Sequence, residues 1–303
     1  MICKNMQRNL NWKKFFSSGT SWVSRLLESL APRLRLTTAM LLSMAFMATT
    51  SGLSTPGPVP VVEALSPPVT GDNVSVDPIP VLAYYYIWFD EKSWDRAKTD
   101  YPLLGRYSSD DADVMRQHIQ WAQAAGIDGF IVSWKSTEKL NRRLAQLVEL
   151  ADEENFKLAI IYQGLDFERD PLPPKQVDSD LIYFIDLYAA HPVFDIFAKP
   201  LVIWSGSWKF SAEEIQSVVE PKRDRVLILA TEKNVEGYQR VADLMDGNAY
   251  YWSSVNPATH PGYAEKLAAM GEAVHDKGGV WIAPAAAGFD ARLIGGTSVV
   301  ERL

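Results

Sequence analysis

The stretch that decides the fold is YPLLGRYSSDDADVMRQHIQWAQAAGIDGFIVSW, residues Tyr101–Trp134. It begins with a loop of aromatic and glycine residues, Tyr101–Ser109, and continues as a helix with apolar residues at helical spacing, closed by Gly126. The strand Asp128–Trp134 follows and ends on a tryptophan. Loop, helix, glycine and strand in this order predict half of a βα unit of an α/β barrel. An aromatic residue at the C-terminal end of a strand, beside a tyrosine-rich loop, indicates a sugar-binding site.

Beyond this stretch, predicted strands and helices alternate along the chain. The strands are Val81–Phe89, Gly129–Trp134, Lys157–Gln163, Pro200–Trp204, Arg225–Thr231, Asn248–Trp252 and Gly279–Pro284. The helices are Asp111–Ala125, Glu138–Asn155, Asp178–Ala190 (capped by Asp178), Ser211–Glu220 (capped by Ser211), Asn234–Met245 and Pro261–Lys277. Continuous apolar strands separated by helices predict a parallel sheet covered on both faces, and seven repeats favour a barrel over an open sheet.

The number of repeats stops at seven. No eighth strand is predicted in Ala285–Leu303, and an open barrel would leave unpaired backbone groups at two edges. The interpretation is an α/β protein, a (β/α)8 TIM barrel over residues 81–303 that lacks its last β/α unit. The alternative is that the linker or another chain closes the barrel.

The N-terminal region differs from the rest in charge. Residues 1–53 carry seven basic residues and one acid, and Arg33 and Arg35 precede the apolar run Leu36–Met47. This pattern predicts a signal peptide, and hence a secreted or cell-surface protein. The alternative is a membrane anchor formed by residues 36–53. Residues 54–80 hold seven prolines and two glycines, which predicts an extended linker.

Composition excludes several classes of function. The formal net charge of the chain is −7, and residues 54–303 alone carry −13 without a basic stripe, so we expect no nucleic-acid partner. Membrane contact is expected only through the N-terminal segment. The one cysteine, Cys3, leaves the body without a disulfide framework or a cysteine-based metal site. No G-x-G-x-x-G or P-loop indicates a nucleotide cofactor, and no G-x-S-x-G indicates a nucleophile elbow.

Candidate site residues lie where the predicted strands end, because barrel sites form at the C-terminal ends of the strands. They are Tyr84, Tyr85, Tyr86, Trp88, Asp90, Trp94, Ser133, Trp134, Tyr162, Gln163, Asp166, Trp204, Ser205, Trp208, Thr231, Glu232, Tyr251, Trp252, Asn256, Phe289, Asp290 and Arg292. Aromatic faces suit sugar C–H surfaces, and amides, hydroxyls and carboxylates suit sugar hydroxyls. Glycoside hydrolysis usually needs two carboxyl groups, for which Asp166, Glu232 and Asp290 are the candidates. Each acid also fits a helix cap or a loop ion pair.

Three segments resemble the endo-α-mannosidase-like glycoside hydrolases, glycoside hydrolase family 99 and its relatives. They are AYYYIWF at Ala83–Phe89, a YP-x-LG-x-YSS loop beginning at Tyr101, and GIDGFIVSW at Gly126–Trp134. Asp246–Gly247 with Tyr250–Trp252 is a weaker fourth match. The resemblance implies a (β/α)8 barrel that cleaves internal α-mannosidic linkages, with a carbohydrate substrate, no cofactor and no metal in the chemistry.

The resemblance also implies site residues. Tyr85, Tyr86, Trp134 and Tyr251 or Trp252 fall where the family contacts substrate. Together with two further strand-end candidates, Gln163 and Trp204, they form the predicted substrate-binding set. The family's catalytic glutamates lie three apart at the end of its last strand, and no such pair occurs before Leu303, so we expect it beyond that residue. Glu232 and Asp166 remain weak candidates within the chain.

Three hypotheses follow. The first is a secreted glycoside hydrolase of this type, acting on an α-linked glycan or polysaccharide, with residues 1–303 alone inactive. The second is a non-catalytic glycan-binding or degenerate barrel at the cell surface. The third is a barrel enzyme of another class that uses Glu232 or Asp166 as its base.

Overall fold

The structure is a computed structural model. It describes residues 79–95, 102–249 and 260–285, and the backbone of 288–290 and 299–301. The predicted signal or anchor segment 1–53, and all but two residues of the predicted linker 54–80, lie outside the described residues. In the described ranges, no helix combines the length and the apolar character that a bilayer crossing requires.

Seven parallel strands form the centre of the fold. They are β1 (Leu82–Tyr86), β2 (Gly129–Trp134), β3 (Lys157–Gln163), β4 (Leu201–Ser205), β5 (Leu227–Leu229), β6 (Gly247–Asn248) and β7 (Val280–Trp281). Strands β1 to β5 are hydrogen-bonded in chain order, and β6 pairs with β7. The Ala230 N–H donates to the Gly247 carbonyl at 2.9 Å, which connects the two groups in parallel. Neighbours in sequence are therefore neighbours in the sheet, as a barrel-like (β/α) fold requires.

Six helices connect these strands. They are α1 (Ala112–Ala124), α2 (Glu138–Glu153), α3 (Pro174–Tyr188), α4 (Ala212–Val219), α5 (Val235–Gln239) and α6 (Tyr263–His275). In α1 the buried face consists of Met115, Ile119 and Ala122, and the Asp111 carboxylate accepts from two backbone N–H groups of the first turn. Gly126, at φ 74°, follows this helix in the left-handed conformation that favours glycine.

Two helices differ from their predictions. Helix α3 begins at Pro174, not at Asp178, because Pro174 takes the first helical position, where a missing N–H costs nothing. Asp178 therefore lies inside the helix and pairs with Lys222 instead of capping. Helix α5 covers only Val235–Gln239 of the predicted Asn234–Met245. The Ser211 cap of α4 is confirmed, as a reciprocal capping box with Glu214.

The prediction of no further strand after the seventh is wrong. Strands β8 (Gly288–Asp290) and β9 (Val299–Glu301) follow β7 and pair with each other antiparallel. Each of these strands has only three residues, which is too short for hydrophobic periodicity to reveal a strand. The predicted loss of a final β/α unit stays a prediction.

Strand alternation divides the core into two layers. Inside the sheet, Ile131, Ile161, Ile203 and Leu229 pack together. On its outer side, alternate residues such as Phe130, Val132, Ile160, Val202 and Ile228 pack against the helices in a larger cluster. Because neighbouring residues on a strand point to opposite faces, each strand position belongs to one layer or the other.

Candidate functional site

The inward positions of the strands change from apolar to polar at their carboxyl ends. The last inward residues of β1 to β4 are Tyr86, Ser133, Gln163 and Ser205, and Thr231 follows β5. Below them lie the aliphatic residues of the inner layer. This change places hydrogen-bonding groups at the end of the sheet where barrel sites form.

A cleft of about 380 Å³ opens at this end of the sheet. Its lining combines aromatic, polar and cationic side chains: Tyr84, Tyr86, Trp88, Ile161, Gln163, Arg169, Ser205, Trp208, Thr231 and Lys233. No carboxylate belongs to this lining, so far as the described residues define it. A concave site with aromatic walls and a few convergent polar groups has the character of a small-molecule or sugar site.

The aromatic wall of the cleft comes from β1 and the residues just after it. The rings of Tyr86 and Trp88 lie 4.5 Å apart between centroids, inclined at 38°. The Trp88 side chain is 44% exposed, which is unusual for so large an apolar group. An exposed indole on a concave wall offers a flat face to a ligand.

The polar floor is held by hydrogen bonds between strands. The Gln163 amide donates to the Ser133 hydroxyl at 3.0 Å. The Thr231 hydroxyl donates to the Trp204 carbonyl at 3.0 Å and accepts from the Gly206 N–H at 3.0 Å. Both side chains are therefore positioned in advance of any ligand, which lowers the entropy lost on binding.

Two cations complete the lining. The Lys233 ammonium lies 4.2 Å from the centroid of the Trp208 ring, in a cation–π contact. Arg169 lies on the turn after β3, in the left-handed conformation at φ 64°. The Asp166 carboxylate holds this turn by accepting from the Asp170 N–H at 2.9 Å.

The structure divides the predicted substrate-binding set. Tyr86 and Gln163 line the cleft, and their role in binding substrate stays a prediction. Tyr85, Trp134 and Trp204 instead lie in the layer between the sheet and the helices. This corrects their predicted position, and the reason is strand alternation: each is one residue away from an inward position. Tyr251 and Trp252 lie outside the described residues, as do Asn256 and Arg292.

Contacts in the helix layer account for the first two of these displaced aromatic residues. The Tyr85 hydroxyl is hydrogen-bonded to His118 Nδ1 at 3.0 Å, its ring stacks on Phe130 at 4.4 Å, and burial raises its pKa. The Trp134 indole N–H donates to Asn141 at 2.9 Å.

Trp204 lies in the same layer. It is fully buried and packs on Phe210 with ring centroids 4.8 Å apart. The displaced rings are thus parts of the helix–sheet interface.

Glu232 does not belong to the cleft lining. Its side chain is almost fully buried and accepts from the Ser207 hydroxyl at 2.8 Å and from Arg240 Nη2 at 3.2 Å. Its backbone is paired in both directions with the Asn248 side chain. Burial raises the pKa of the Glu232 carboxyl, against the opposing effects of Ser207 and Arg240.

The other candidate acids also lie apart from the described cleft. Asp166 is exposed, and its carboxylate is bonded to the backbone of its own turn. Asp290 ends strand β8, whose backbone alone is described. Within the described ranges, no group of three or more His, Cys, Asp or Glu residues is arranged to hold a metal ion.

Sequence reasoning missed Ile161, Arg169 and Lys233 as lining residues. Ile161 is an inward residue two positions before Gln163, so strict alternation would have found it. Lys233 directly follows Glu232 after β5, so its distance from the strand end was the available signal. The position of Arg169 depends on the turn after β3, which the sequence does not reveal.

A buried arginine fixes the aromatic wall from behind. Arg143 on α2 is fully buried and donates to both oxygens of Asp110, at 2.9 and 2.6 Å, and to the Ile87 carbonyl at 3.0 Å. Ile87 directly precedes Trp88, and Asp110 directly follows the tyrosine-rich loop Tyr101–Ser109. The Arg143 guanidinium holds the pKa of the Asp110 carboxyl well below its usual range. This interaction joins β1, the loop and α2 into one support for the cleft.

A parallel barrel-like sheet with its cleft at the carboxyl ends of the strands places the protein among the (β/α)-barrel proteins. The model of Glycosyl hydrolase family 99 matches residues 80–254, which is more than half of the chain. The chain therefore belongs to glycosyl hydrolase family 99.

Individual relatives show how far the similarity extends. A mouse (Mus musculus) protein described as glycoprotein endo-alpha-1,2-mannosidase-like protein is 29% identical over 110 residues. That match covers 33% of this chain and 23% of the mouse protein. The chain thus matches less than a quarter of the length of this relative.

Solved structures support the fold. The GH99 endo-alpha-mannosidase from Bacteroides thetaiotaomicron, in complex with bis-tris-propane, aligns with a TM-score of 0.64 at 20% identity, over 73% of this chain and 75% of that one. A second structure of that enzyme aligns with a TM-score of 0.61 at 18% identity, over 73% of this chain and 76% of that one. A structure described as a glycoside hydrolase-like protein aligns with a TM-score of 0.57 at 15% identity, over 75% of this chain and 79% of that one.

Proposed function

We propose that this protein binds an α-linked glycan of the α-mannan type in the cleft at the carboxyl ends of β1 to β5. One observation carries the proposal: the aromatic wall of Tyr86 and Trp88 faces the same cleft as the amide of Gln163 and the hydroxyl of Ser205. Family membership supports the choice of a carbohydrate ligand. An aromatic face for sugar C–H groups beside groups that bond sugar hydroxyls is the chemistry that a mannose unit needs.

The test is a pair of tryptophan variants. Trp88 lines the cleft and is 44% exposed, whereas Trp121 lies on α1 and is 41% exposed. We expect Trp88→Ala to weaken binding of an α-mannotetraose about tenfold, since about 1.4 kcal/mol of stacking is lost. We expect Trp121→Ala to bind like the unchanged protein. Isothermal titration calorimetry on the full chain measures both, and equal affinities in the two variants would exclude the cleft as the binding site.

We further propose hydrolysis of the α-linked glycan as the activity of the complete enzyme. Supporting it are the family match and the placement of the cleft. Neither Glu232 nor Asp166 fits the catalytic pair, because both carboxylates are bonded outside the cleft lining. The position of the glutamate pair, expected after Leu303, stays a prediction. Mass spectrometry of an α-mannan digest tests the activity, and products formed by residues 1–303 alone would contradict that position.

A second function has its own supporting observation. The cleft lining, within the described residues, offers binding groups without a carboxylate. A non-catalytic glycan-binding protein at the cell surface needs only such a lining. Binding of the α-mannotetraose without turnover, by the full product of the gene, would favour this function over hydrolysis.

Secretion is part of the proposal. Supporting it are the basic residues, ending in Arg33 and Arg35, that precede the apolar run Leu36–Met47. Amino-terminal sequencing of the mature protein from its native source is the test. A mature chain that still begins at Met1 would argue for an anchor formed by residues 36–53 or for no signal.

A further inference from the structure

The cleft lining holds two cations, Arg169 and Lys233, that form no ion pair within the described residues. Every arginine in the described residues except Arg169 forms an ion pair with an aspartate or glutamate. Lys233 also forms no such pair there, although its neighbour in sequence is Glu232. Residues 54–303 carry −13, and the cleft nevertheless brings together two cations, Arg169 and Lys233, that have no ion-pair partner among the described residues.

Two acids close in sequence to these cations are bonded to other groups. The Asp166 carboxylate, three residues from Arg169, accepts a backbone N–H instead of the guanidinium. The Glu232 carboxylate is bonded to Ser207 and Arg240, neither of which lines the cleft. Since neither Arg169 nor Lys233 forms an ion pair within the described residues, the two cleft cations keep hydrogen-bond donors available to a ligand.

Local contacts also hold the Lys233 ammonium and the backbone at Arg169. Arg169 occupies the left-handed region at φ 64°, on the turn that the Asp166 carboxylate holds by accepting from the Asp170 N–H. Lys233 rests on the Trp208 ring, which holds its ammonium in place without cancelling its charge. A guanidinium is a bidentate donor for planar or tetrahedral oxyanions, and an ammonium adds a second charge.

We propose that the glycan bound in this cleft carries an anionic substituent, and that Arg169 and Lys233 recognise it. The proposal rests on the proposed function, since it specifies the ligand of the same cleft. The shared chemistry is an oxyanion attached to a sugar: a sulfate ester, a phosphate ester or a uronic carboxylate. Tyr86, Trp88 and Gln163 contact the sugar itself, and the two cations contact its charged group.

The experiment compares four ligands by calorimetry on the full chain. They are a neutral α-mannotetraose and the same oligosaccharide carrying a 6-sulfate, a 6-phosphate or a 6-carboxylate. We expect at least one charged ligand to bind about tenfold more tightly than the neutral one at low salt. This preference should shrink at high salt, because part of it is screened Coulomb attraction. The charged ligand whose affinity exceeds that of the neutral ligand by the largest factor identifies the anion.

Variants locate the charge effect. We expect Arg169→Gln and Lys233→Gln each to reduce the ratio of charged-ligand to neutral-ligand affinity, measured within the same variant, about threefold, since exposed charge contacts are individually modest. Lys175→Gln, an exposed cation on α3 outside this cleft, is the control and should keep the preference. Urea unfolding confirms that all three variants fold.

The outcomes separate the two proposals. Equal affinity for neutral and charged ligands overturns the anionic specificity and leaves the glycan-binding function standing. A charged-ligand preference that survives both cleft variants also overturns it, since the anion then binds elsewhere. Binding of a charged ligand alone supports the anionic specificity and narrows the function to charged glycans. No binding of any ligand overturns the proposed function.

Discussion

Replacing Asp110 by asparagine should destabilise the protein far more than the same change at Asp95. Asp110 is the acid partner of Arg143, whose side chain is 0% exposed, and the pair shares two hydrogen bonds of 2.9 and 2.6 Å. Asp95 forms a single bond of 2.9 Å with Arg106, and both side chains are more than half exposed. The Asp110→Asn change would leave a buried guanidinium without its counter-charge, which costs several kcal/mol when both partners are buried.

The magnitude follows from the exposure of the two acids. The Asp110 side chain is 42% exposed, so solvent screens part of the pair and we take the lower end, about 2 kcal/mol. For a domain of this size that corresponds to a melting temperature lower by roughly 4–8 °C. Asp95→Asn should cost less than about 0.5 kcal/mol, as exposed pairs do. Urea unfolding followed by circular dichroism measures both.

The pH dependence gives a second readout. The pKa of the Asp110 carboxyl is lower in the folded than in the unfolded protein. The stability that its charge contributes is therefore fully present above about pH 4 and is lost as pH falls through the pKa of the folded state. The difference in free energy of unfolding between Asp110→Asn and the unchanged protein should therefore become smaller below about pH 4. Because Arg143 also bonds the Ile87 carbonyl, next to Trp88, the variant should bind the α-mannotetraose more weakly. Equal destabilisation by the two aspartate variants would refute this account of Arg143.

Three further predictions concern the layers around the cleft. Glu232→Gln should keep glycan binding. Because burial raises the pKa of the Glu232 carboxyl, its ionisation lowers the stability of the unchanged protein as pH rises above about 4.3. The stability of Glu232→Gln relative to the unchanged protein should therefore be higher at pH 7 than at pH 4, as measured by urea unfolding. Tyr162→Phe removes a 2.9 Å hydrogen bond to the buried Asp180 and should cost about 1–2 kcal/mol without changing glycan affinity; a loss of affinity would place Tyr162 in the site. Gly129→Ala would put a Cβ 2.6 Å from the Lys157 carbonyl oxygen and should lower stability by about 1–3 kcal/mol; an unchanged unfolding midpoint would contradict the close strand approach.

Much of the fold could be predicted from the sequence because its local signals agree. Strands β2 and β3 have the predicted bounds Gly129–Trp134 and Lys157–Gln163, since both are apolar runs bounded by glycine, lysine or glutamine. Short strands were less predictable. Strand β6 consists of two residues, Gly247–Asn248, and only Asn248 belongs to the predicted strand Asn248–Trp252. Where pairing, not local composition, decides the length of a strand, the sequence around it carries little signal.

The site was predictable in its location but not in its members. The barrel rule placed it at the carboxyl ends of the strands, and the described cleft lies at that end of the sheet. Choosing between Tyr85 and Tyr86 required the parity of β1, and that parity is fixed by pairing with β2. Trp134 was chosen from the family resemblance and Trp204 as an aromatic residue at a strand end, whereas the outward parity of both positions buries them under helices. Arg169 was missed because the turn after β3 depends on side-chain bonds to its own backbone.

The most direct test of the account is a crystal structure of the full chain with an α-mannotetraose. The account predicts a sugar ring against the Trp88 indole, with hydroxyl groups within hydrogen-bond distance of Gln163 and Ser205. Sugar bound at another surface, with the cleft at the carboxyl ends of the strands left open, would contradict it.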